Sequence, residues 1–435
     1  MPQELIHVSV RNVAVRIVLL LVLLGAVVCS YFALRWYIGN TLAEYFNPGQ
    51  NNMQVAEMAV ELAPNDPLTH WRIAQVSQKL LPLDQQARSI AEYERAVSLS
   101  PNDYRFWMAL GTAHEQAGDS VKAEQALRRA VALAPSYAYP RWYLGNLLLR
   151  SGRYDEAFNE LRLAAEADVE LEPQQFNFLW AIYSDNLAAL NTAMGEGSER
   201  RARFALYLLK LQRADDGLRV WDSLSGDEKK TNRHIADAMI GNLLTLGRIH
   251  DAMRVWNDIA MNERYRVEFG KVFDGSFEEP INYGPDMAFG WQVKDAPQMQ
   301  IGIDPAESNS GSRSLRLVFQ VRSNLEGMNI SQLIPVAPGG EYDFEYYFKT
   351  EKLESGSAPM VQIFDATDGA ALATSAQAPS GSNPWTQVTL PFKAGGKTEA
   401  VILRIMRTSC ADDETPICPI FGSVWYDDFS IKRRR

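Results

Sequence analysis

Residues 104–137 read YRFWMALGTAHEQAGDSVKAEQALRRAVALAPSY, and the next 34 residues, 138–171, read AYPRWYLGNLLLRSGRYDEAFNELRLAAEADVEL. Set one above the other, Leu110, Gly111, Gly118, Ala123 and Ala130 recur as Leu144, Gly145, Gly152, Ala157 and Ala164. A unit of this length has room for two helices of about 12 residues and two short turns, and it buries its apolar faces only against neighbouring units. The chain therefore reads first as a scaffold of stacked helix pairs.

Working outward, the helix ending Ala59-Val60…Leu62…Pro64 returns as Ala96-Val97…Leu99…Pro101 and as Ala130-Val131…Leu133…Pro135. Alanine at the crossing lets helices approach closely, glycine suits the turn between them, and proline opens the next unit where its missing N–H is tolerated. With Trp107, Leu110, Gly111, His114, Gly118, Ala123, Leu127, Ala130 and Pro135, the unit from Tyr104 resembles the tetratricopeptide repeat family. The unit from Ala138 matches it through Leu144, Gly145, Leu148, Gly152, Tyr154, Ala157, Leu161 and Ala164, with Arg141 in place of the usual aromatic. Trp71 and Trp107 are separated by two residues more than the period, which places an insertion in the turn at 80–84. Repeats are assigned to residues 41–172 and divergent helical repeats to 173–264, where Arg219-Val220-Trp221 returns as Arg254-Val255-Trp256 and Gly195-Glu196-Gly197-Ser198 reads as an exposed turn. The resemblance implies a concave groove lined by the first helix of each pair, with Arg105, Met108, Thr112, Glu115, Tyr139, Trp142, Asn146 and Leu149 facing a protein partner. Packing against the next hairpin is the alternative for Tyr139 and Trp142.

Toward the amino terminus, the 18 residues from Ile17 to Leu34 carry no charge and lie between Arg16 and Arg35. At 1.5 Å per residue this is enough to cross a bilayer, with Tyr31, Trp36 and Tyr37 at one interface. The assignment is a cytoplasmic segment 1–12 and a single transmembrane helix 13–38. Arg11 and Arg16 precede the span, and no Lys or Arg follows Arg35 until Arg72. The positive end stays in the cytoplasm, which predicts an inner-membrane protein whose bulk is extracytoplasmic or periplasmic. A cleaved signal peptide is the competing reading. Cys410 and Cys418 are then candidates for a disulfide, with two free thiols as the alternative.

After about Gly270 the periodicity changes to short alternating runs between Gly, Pro, Ser and Asn clusters, the signature of a β-sandwich over 270–432. Leu315, Leu317, Phe319 and Val321 share one face of a strand, and Tyr342, Phe344, Tyr346 and Phe348 share one face of another. Further strands are predicted at 329–336, 360–365, 386–393, 400–407 and 424–431. The ordered series Asp274-Gly275-Ser276-Phe277-Glu278, Gly290-Trp291, Gly311-Ser312-Arg313-Ser314-Leu315, Pro338-Gly339-Gly340-Glu341-Tyr342, Trp385-Thr386-Gln387-Val388 and Trp425-Tyr426-Asp427-Asp428-Phe429-Ser430 resembles the galactose-binding-like jelly roll of carbohydrate-binding module families four and nine. That resemblance implies a core role for Trp291, Trp385 and Trp425. It implies a structural role for Asp427-Asp428, with acid–base chemistry or a structural Ca²⁺ site as alternatives. Alternation sets Arg316, Glu345, Tyr347, Gln362, Phe364 and Arg404 opposite the core, where rings and polar groups suit a sugar.

The fold class is thus multidomain α plus all-β: one transmembrane helix, a tetratricopeptide-type α-solenoid and a jelly-roll sandwich. A formal net charge of −10 gives no basic field for nucleic acid, and the terminal Lys432-Arg433-Arg434-Arg435 reads as a solvated end. No histidine follows His250, and there is no phosphate loop, zinc motif or catalytic constellation. The expectation is a membrane-anchored adaptor that is not an enzyme, needs no cofactor, and joins a protein partner to a polysaccharide in bacterial exopolysaccharide or envelope assembly. The alternatives are a protein scaffold without sugar binding and a glycan-modifying enzyme.

Overall fold

The computed structural model describes residues 12–45, 52–79, 83–195, 197–279, 287–294, 299–319, 329–408 and 418–434. The chain divides into two compact units, Met1–Glu196 and Gly197–Arg435. The division falls within the helical region, at the predicted Gly-rich turn, and not where helices give way to strands.

The first unit contains α1 (Val13–Tyr45), α2 (Met53–Leu62), α3 (Pro67–Lys79), α4 (Leu83–Leu99), α5 (Tyr104–Gln116), α6 (Ser120–Leu133), α7 (Ala138–Arg150), α8 (Tyr154–Ala167), α9 (Glu172–Tyr183) and α10 (Leu187–Met194). Helix α1 is long and apolar enough to cross a membrane. It does not stop at Arg35, and its last turns pack on α2 and α3. Gly39 permits the approach, because a Cβ there would lie 2.7 Å from Ala63 Cβ and 2.9 Å from Ala59 O. Arg35 donates to Glu61 O at 2.8 Å and Asn40 to Asp66 Oδ2 at 3.0 Å. Arg72 Nε donates to Ala43 O at 2.7 Å, satisfying a carbonyl of the last helical turn.

The 34-residue period is physical. A Cβ on Gly111 would lie 2.6 Å from Leu127 Cγ, and one on Gly145 would lie 2.7 Å from Leu161 Cγ. Only hydrogen lets α5 reach α6, and α7 reach α8, at that crossing. Ala123, Leu127 and Ala130 are buried, as are Ala157, Leu161 and Ala164. Asp119 caps α6 by accepting from Lys122 N. Arg153, at the N-cap of α8, makes no side-chain cap, and Asp155 and Glu156 in the first turn complement the helix dipole instead. The proposed insertion at 80–84 lies partly outside the described residues.

The second unit opens with α11 (Ser198–Lys210), α12 (Ala214–Asp222), α13 (Gly226–Thr231), α14 (Arg233–Thr245) and α15 (Ile249–Ile259). The recurring Val-Trp pair is core in both copies: Val220, Trp221, Val255 and Trp256 are buried. Their indoles donate to Asp258 Oδ2 at 2.9 Å and to Tyr265 O at 2.7 Å. Helix α15 is fixed to the strands that follow. His250 Nε2 lies 3.2 Å from Val336 O and 3.1 Å from Glu399 O. Both partners are acceptors, so this nitrogen carries the proton.

Those strands are β1 (Gln292–Lys294), β2 (Met299–Asp304), β3 (Ser314–Phe319), β4 (Asn329–Pro335), β5 (Glu341–Ser355), β6 (Met360–Asp365), β7 (Ala371–Thr374), β8 (Gly381–Lys393), β9 (Ala400–Met406) and β10 (Ile420–Arg433). They make two antiparallel five-stranded sheets, β1-β4-β9-β6-β7 and β2-β3-β10-β5-β8. The chain changes sheet at most connections, as a jelly roll requires. Leu315, Leu317 and Phe319 meet Tyr342, Phe344, Tyr346 and Phe348 in one core, as alternation predicts; Val321 lies outside the described residues.

Two tryptophans differ from expectation. Trp291 joins the core, but Trp425 alternates with core residues Val424 and Tyr426 and is buried on the outer face. Trp385 is half-buried and outside the core. The basic terminus is exposed, as expected, and Lys432 and Arg433 also pair within the sheet. Lys432 Nζ donates to Glu345 at 2.6 Å and Arg434 to Asp343 at 2.6 Å. Cys418 is disulfide-bonded, whereas Cys29 is free and exposed; Cys410 lies outside the described residues.

Candidate functional site

Helices α3, α5 and α7 line a concave groove of about 1060 Å³. Arg105, Met108, Thr112, Glu115, Tyr139, Trp142 and Asn146 line it. Leu149 does not; it packs with the α6–α8 core around Leu127 and Leu148. Trp142 serves two purposes, lining the groove and stacking on Phe178 at 5.9 Å. Tyr139 remains 54% exposed, so packing does not account for it. Sequence reasoning missed Trp71, Tyr104, Tyr137 and Tyr143, which also line the groove. Tyr104 begins α5 and Tyr137 immediately precedes α7, and their rings lie 5.1 Å apart.

Both arginines of the groove are paired with carboxylates. Arg105 donates to both oxygens of Asp103, at 3.0 and 2.6 Å, which holds that carboxyl below its ordinary range. Arg150 pairs with Glu115 across two repeats, its Nε donating at 2.8 Å.

The sandwich does not bring the six glycan candidates together. Arg316, Glu345 and Tyr347 lie on the sheet containing β3 and β5, whereas Gln362, Phe364 and Arg404 lie on the opposite sheet. On the first face Arg316 sits over the Trp425 ring at 5.0 Å, with Lys349 at 5.5 Å. The Trp425 indole donates to Asp304 at 2.9 Å. Burial works against the Asp304 charge, but the indole, the Ala306 N–H and the Arg316 guanidinium hold its pKa down. Glu345 is engaged by Lys432. The second face is more concentrated: Gln362 and Arg404 are direct cross-strand partners, and the Arg404 guanidinium lies over the Phe364 ring at 5.2 Å. Arg404 Nε is buried with no hydrogen-bond partner.

Asp427 and Asp428 clamp a loop. Asp427 Oδ2 accepts Asn309 N at 2.7 Å and Ser310 N at 3.2 Å, and Oδ1 accepts Asp428 N at 2.7 Å. Asp428 accepts Asn309 Nδ2 at 2.7 Å and Ser310 Oγ at 2.5 Å. A cation would meet these hydrogens, so the donor set suits a loop clamp and does not fit Ca²⁺. Among the described residues, no three His, Cys, Asp or Glu side chains group as metal ligands. Burial pushes Asp427 up to about 6 against those N–H donors, and it does the same to Asp274.

Residues 85–138 match the tetratricopeptide repeat profile, so these hairpins are tetratricopeptide repeats. Superkiller protein 3 of Schizosaccharomyces pombe is 31% identical over 74 residues, 17% of this chain and 5% of that protein. The peroxisomal targeting signal receptor of Candida glabrata is 34% identical over 90 residues, 20% of this chain and 15% of that protein. The chain thus spans only a small part of the length of either relative. Among solved structures, the Clostridium thermocellum xylanase 10B CBM22-1–GH10 modules complexed with xylohexaose are 18% identical, with a TM-score of 0.27 over 38% of this chain and 29% of that one. A family 4 carbohydrate-binding module is 13% identical, TM-score 0.28, over 38% and 99%. The MamA protein is 13% identical, TM-score 0.29, over 50% and 94%. Likeness at this level does not extend to what this chain binds.

Proposed function

We propose that the chain is a non-catalytic adaptor held by α1 in the cytoplasmic membrane, with the repeats and the sandwich that follow the span outside the cytoplasm. The repeat groove holds a protein partner, and the sandwich engages a glycan in exopolysaccharide or cell-envelope assembly. The observation that carries this reading is the open, aromatic groove on α3, α5 and α7, whose exposed Tyr139 packs no core. For the glycan, the outer face with Gln362, Phe364 and Arg404 is preferred, because it groups a ring, an amide and a guanidinium on paired strands, whereas Glu345 on the other face is engaged by Lys432. The 197–435 unit is expected to be retarded in gels containing an envelope polysaccharide, and Phe364→Ala to weaken that binding about tenfold. Equal migration of both proteins in every polysaccharide gel would remove the glycan function. That outcome favours the second reading, a protein scaffold, for which half-buried Leu333, Ile402 and Met406 on the same sheet supply an apolar docking face.

A further inference from the structure

Strands β4, β9, β6 and β7 lie side by side in one sheet and carry two charged residues between them, Arg404 and Asp365. Asp365 is buried and accepts from Thr367 N at 2.8 Å and from Thr398 Oγ1. Arg404 is half-buried on β9, the middle strand, between core residues Leu403 and Ile405 and therefore on the outer face. Among the described residues it has no hydrogen-bond or ion-pair partner, and its guanidinium rests on the Phe364 ring alone. Arg316 on the opposite sheet differs, because Asp304 Oδ2 lies 3.6 Å from its Nη1. A guanidinium drawn partly out of water without a counter-charge costs free energy, and a carboxylate that meets its fork with two parallel N–H···O bonds offsets that cost.

The surroundings of Arg404 indicate what carries the carboxylate. Cross-strand pairing sets Ser331, Arg404, Gln362 and Thr374 in one polar row, beside an apolar row of Leu333, Ile402 and Phe364. Gln362 Nε2 donates to Thr374 Oγ1 at 3.1 Å, which leaves the Gln362 carbonyl oxygen as an acceptor for a hydroxyl. A hexuronic acid unit has the matching layout: an apolar C–H face, hydroxyls at the rim and a carboxylate one bond from the ring. A neutral sugar leaves the guanidinium without a counter-charge. A sulfate ester is not planar, so it matches the flat fork less well than a carboxylate does.

We infer that this face takes an acidic polysaccharide through a uronic-acid carboxylate held by Arg404, which specifies the class of glycan for the site proposed above and rests on that reading. The test is isothermal titration of the full chain in detergent micelles with polygalacturonate, alginate and hyaluronate, and with the methyl ester of each. At least one uronate is expected to bind saturably, and its ester, with the same backbone and no charge, about tenfold more weakly. Arg404→Gln should weaken binding of that uronate about tenfold and leave the ester unchanged. Lys397→Gln, which removes an exposed charge outside the strands, should change neither. Equal binding of uronate and ester, equal binding by Arg404→Gln, or binding of dextran sulfate with none of the uronates would overturn the inference. Failure of all three uronates overturns it as well, and the envelope-polysaccharide gels then decide separately whether the sandwich binds a glycan: retardation there leaves the adaptor reading intact, whereas its absence removes the glycan function along with this inference.

Discussion

Phe344→Ala is expected to lower the unfolding free energy of the 197–435 unit by about 3–5 kcal/mol, the cost of truncating a buried phenylalanine where the surroundings relax only partly. Phe344 is fully buried on β5. Its ring lies 5.9 Å from Tyr346 and 5.8 Å from Phe429. Leu390 and Ile431 flank it across the sheet. Neighbours on both adjacent strands, and Phe429 where β10 bulges between Asp427 and Ser430, are held by the sheet and fill the space only in part. Urea unfolding followed by tryptophan fluorescence measures the loss as a shift in midpoint at constant slope. Phe421→Ala, 44% exposed on β10, is the comparison and should stay within about 0.5 kcal/mol of the parent. Equal midpoints for the two variants would contradict the assigned sandwich core.

Asp427→Ala is expected to cost the same unit about 2–3 kcal/mol at pH 5, because it strips buried N–H groups of their acceptor and releases the 309–310 loop from β10. The penalty should be smaller at pH 7.5. Burial raises the folded pKa of Asp427 to about 6 from an ordinary value of 3.8, so between these values the folded state binds the proton that the unfolded state has lost. The stabilisation is fully present below about pH 4 and is lost as pH rises through about 6. The parent's margin over Asp427→Ala therefore narrows from acid to neutral pH. Asp274, also raised to about 6, adds the same slope to both proteins and cancels in the difference. A margin that widens toward neutral pH would show that the clamp acts as a charged group.

What the sequence reveals follows from which interactions are local. Gly111 and Gly145 are legible because a helix crossing closes within a single repeat, and the same spacing that identifies them places most of the groove. Leu149 was misplaced because helical spacing gives an angular position without saying where the neighbouring hairpin covers it. Tyr104 and Tyr137 are 33 residues apart, one short of the period, so the repeat spacing does not pair them. In the sandwich, alternation correctly sets Arg316, Tyr347, Phe364 and Arg404 opposite the core, but a period of two cannot say to which sheet a strand belongs. The six candidates therefore divide between two faces. Trp425 was legible by the same alternation, since it stands between core residues Val424 and Tyr426, and the motif resemblance led away from it. Strands β1, β2 and β7 are only three to six residues long, too short for a clear pattern. The anchoring of α1 on α2 and α3 through Gly39 depends on contacts that no period marks.

The central claim, that the groove on α3, α5 and α7 holds a protein partner, is tested most directly by photo-crosslinking in living cells. A crosslinking residue is placed at position 139 of the full chain and, for comparison, at Val121, which is 69% exposed on α6 and does not line the groove. A discrete protein adduct from position 139 and none from position 121 is the predicted result. The absence of any adduct from position 139, or the same adducts from both positions, would contradict it.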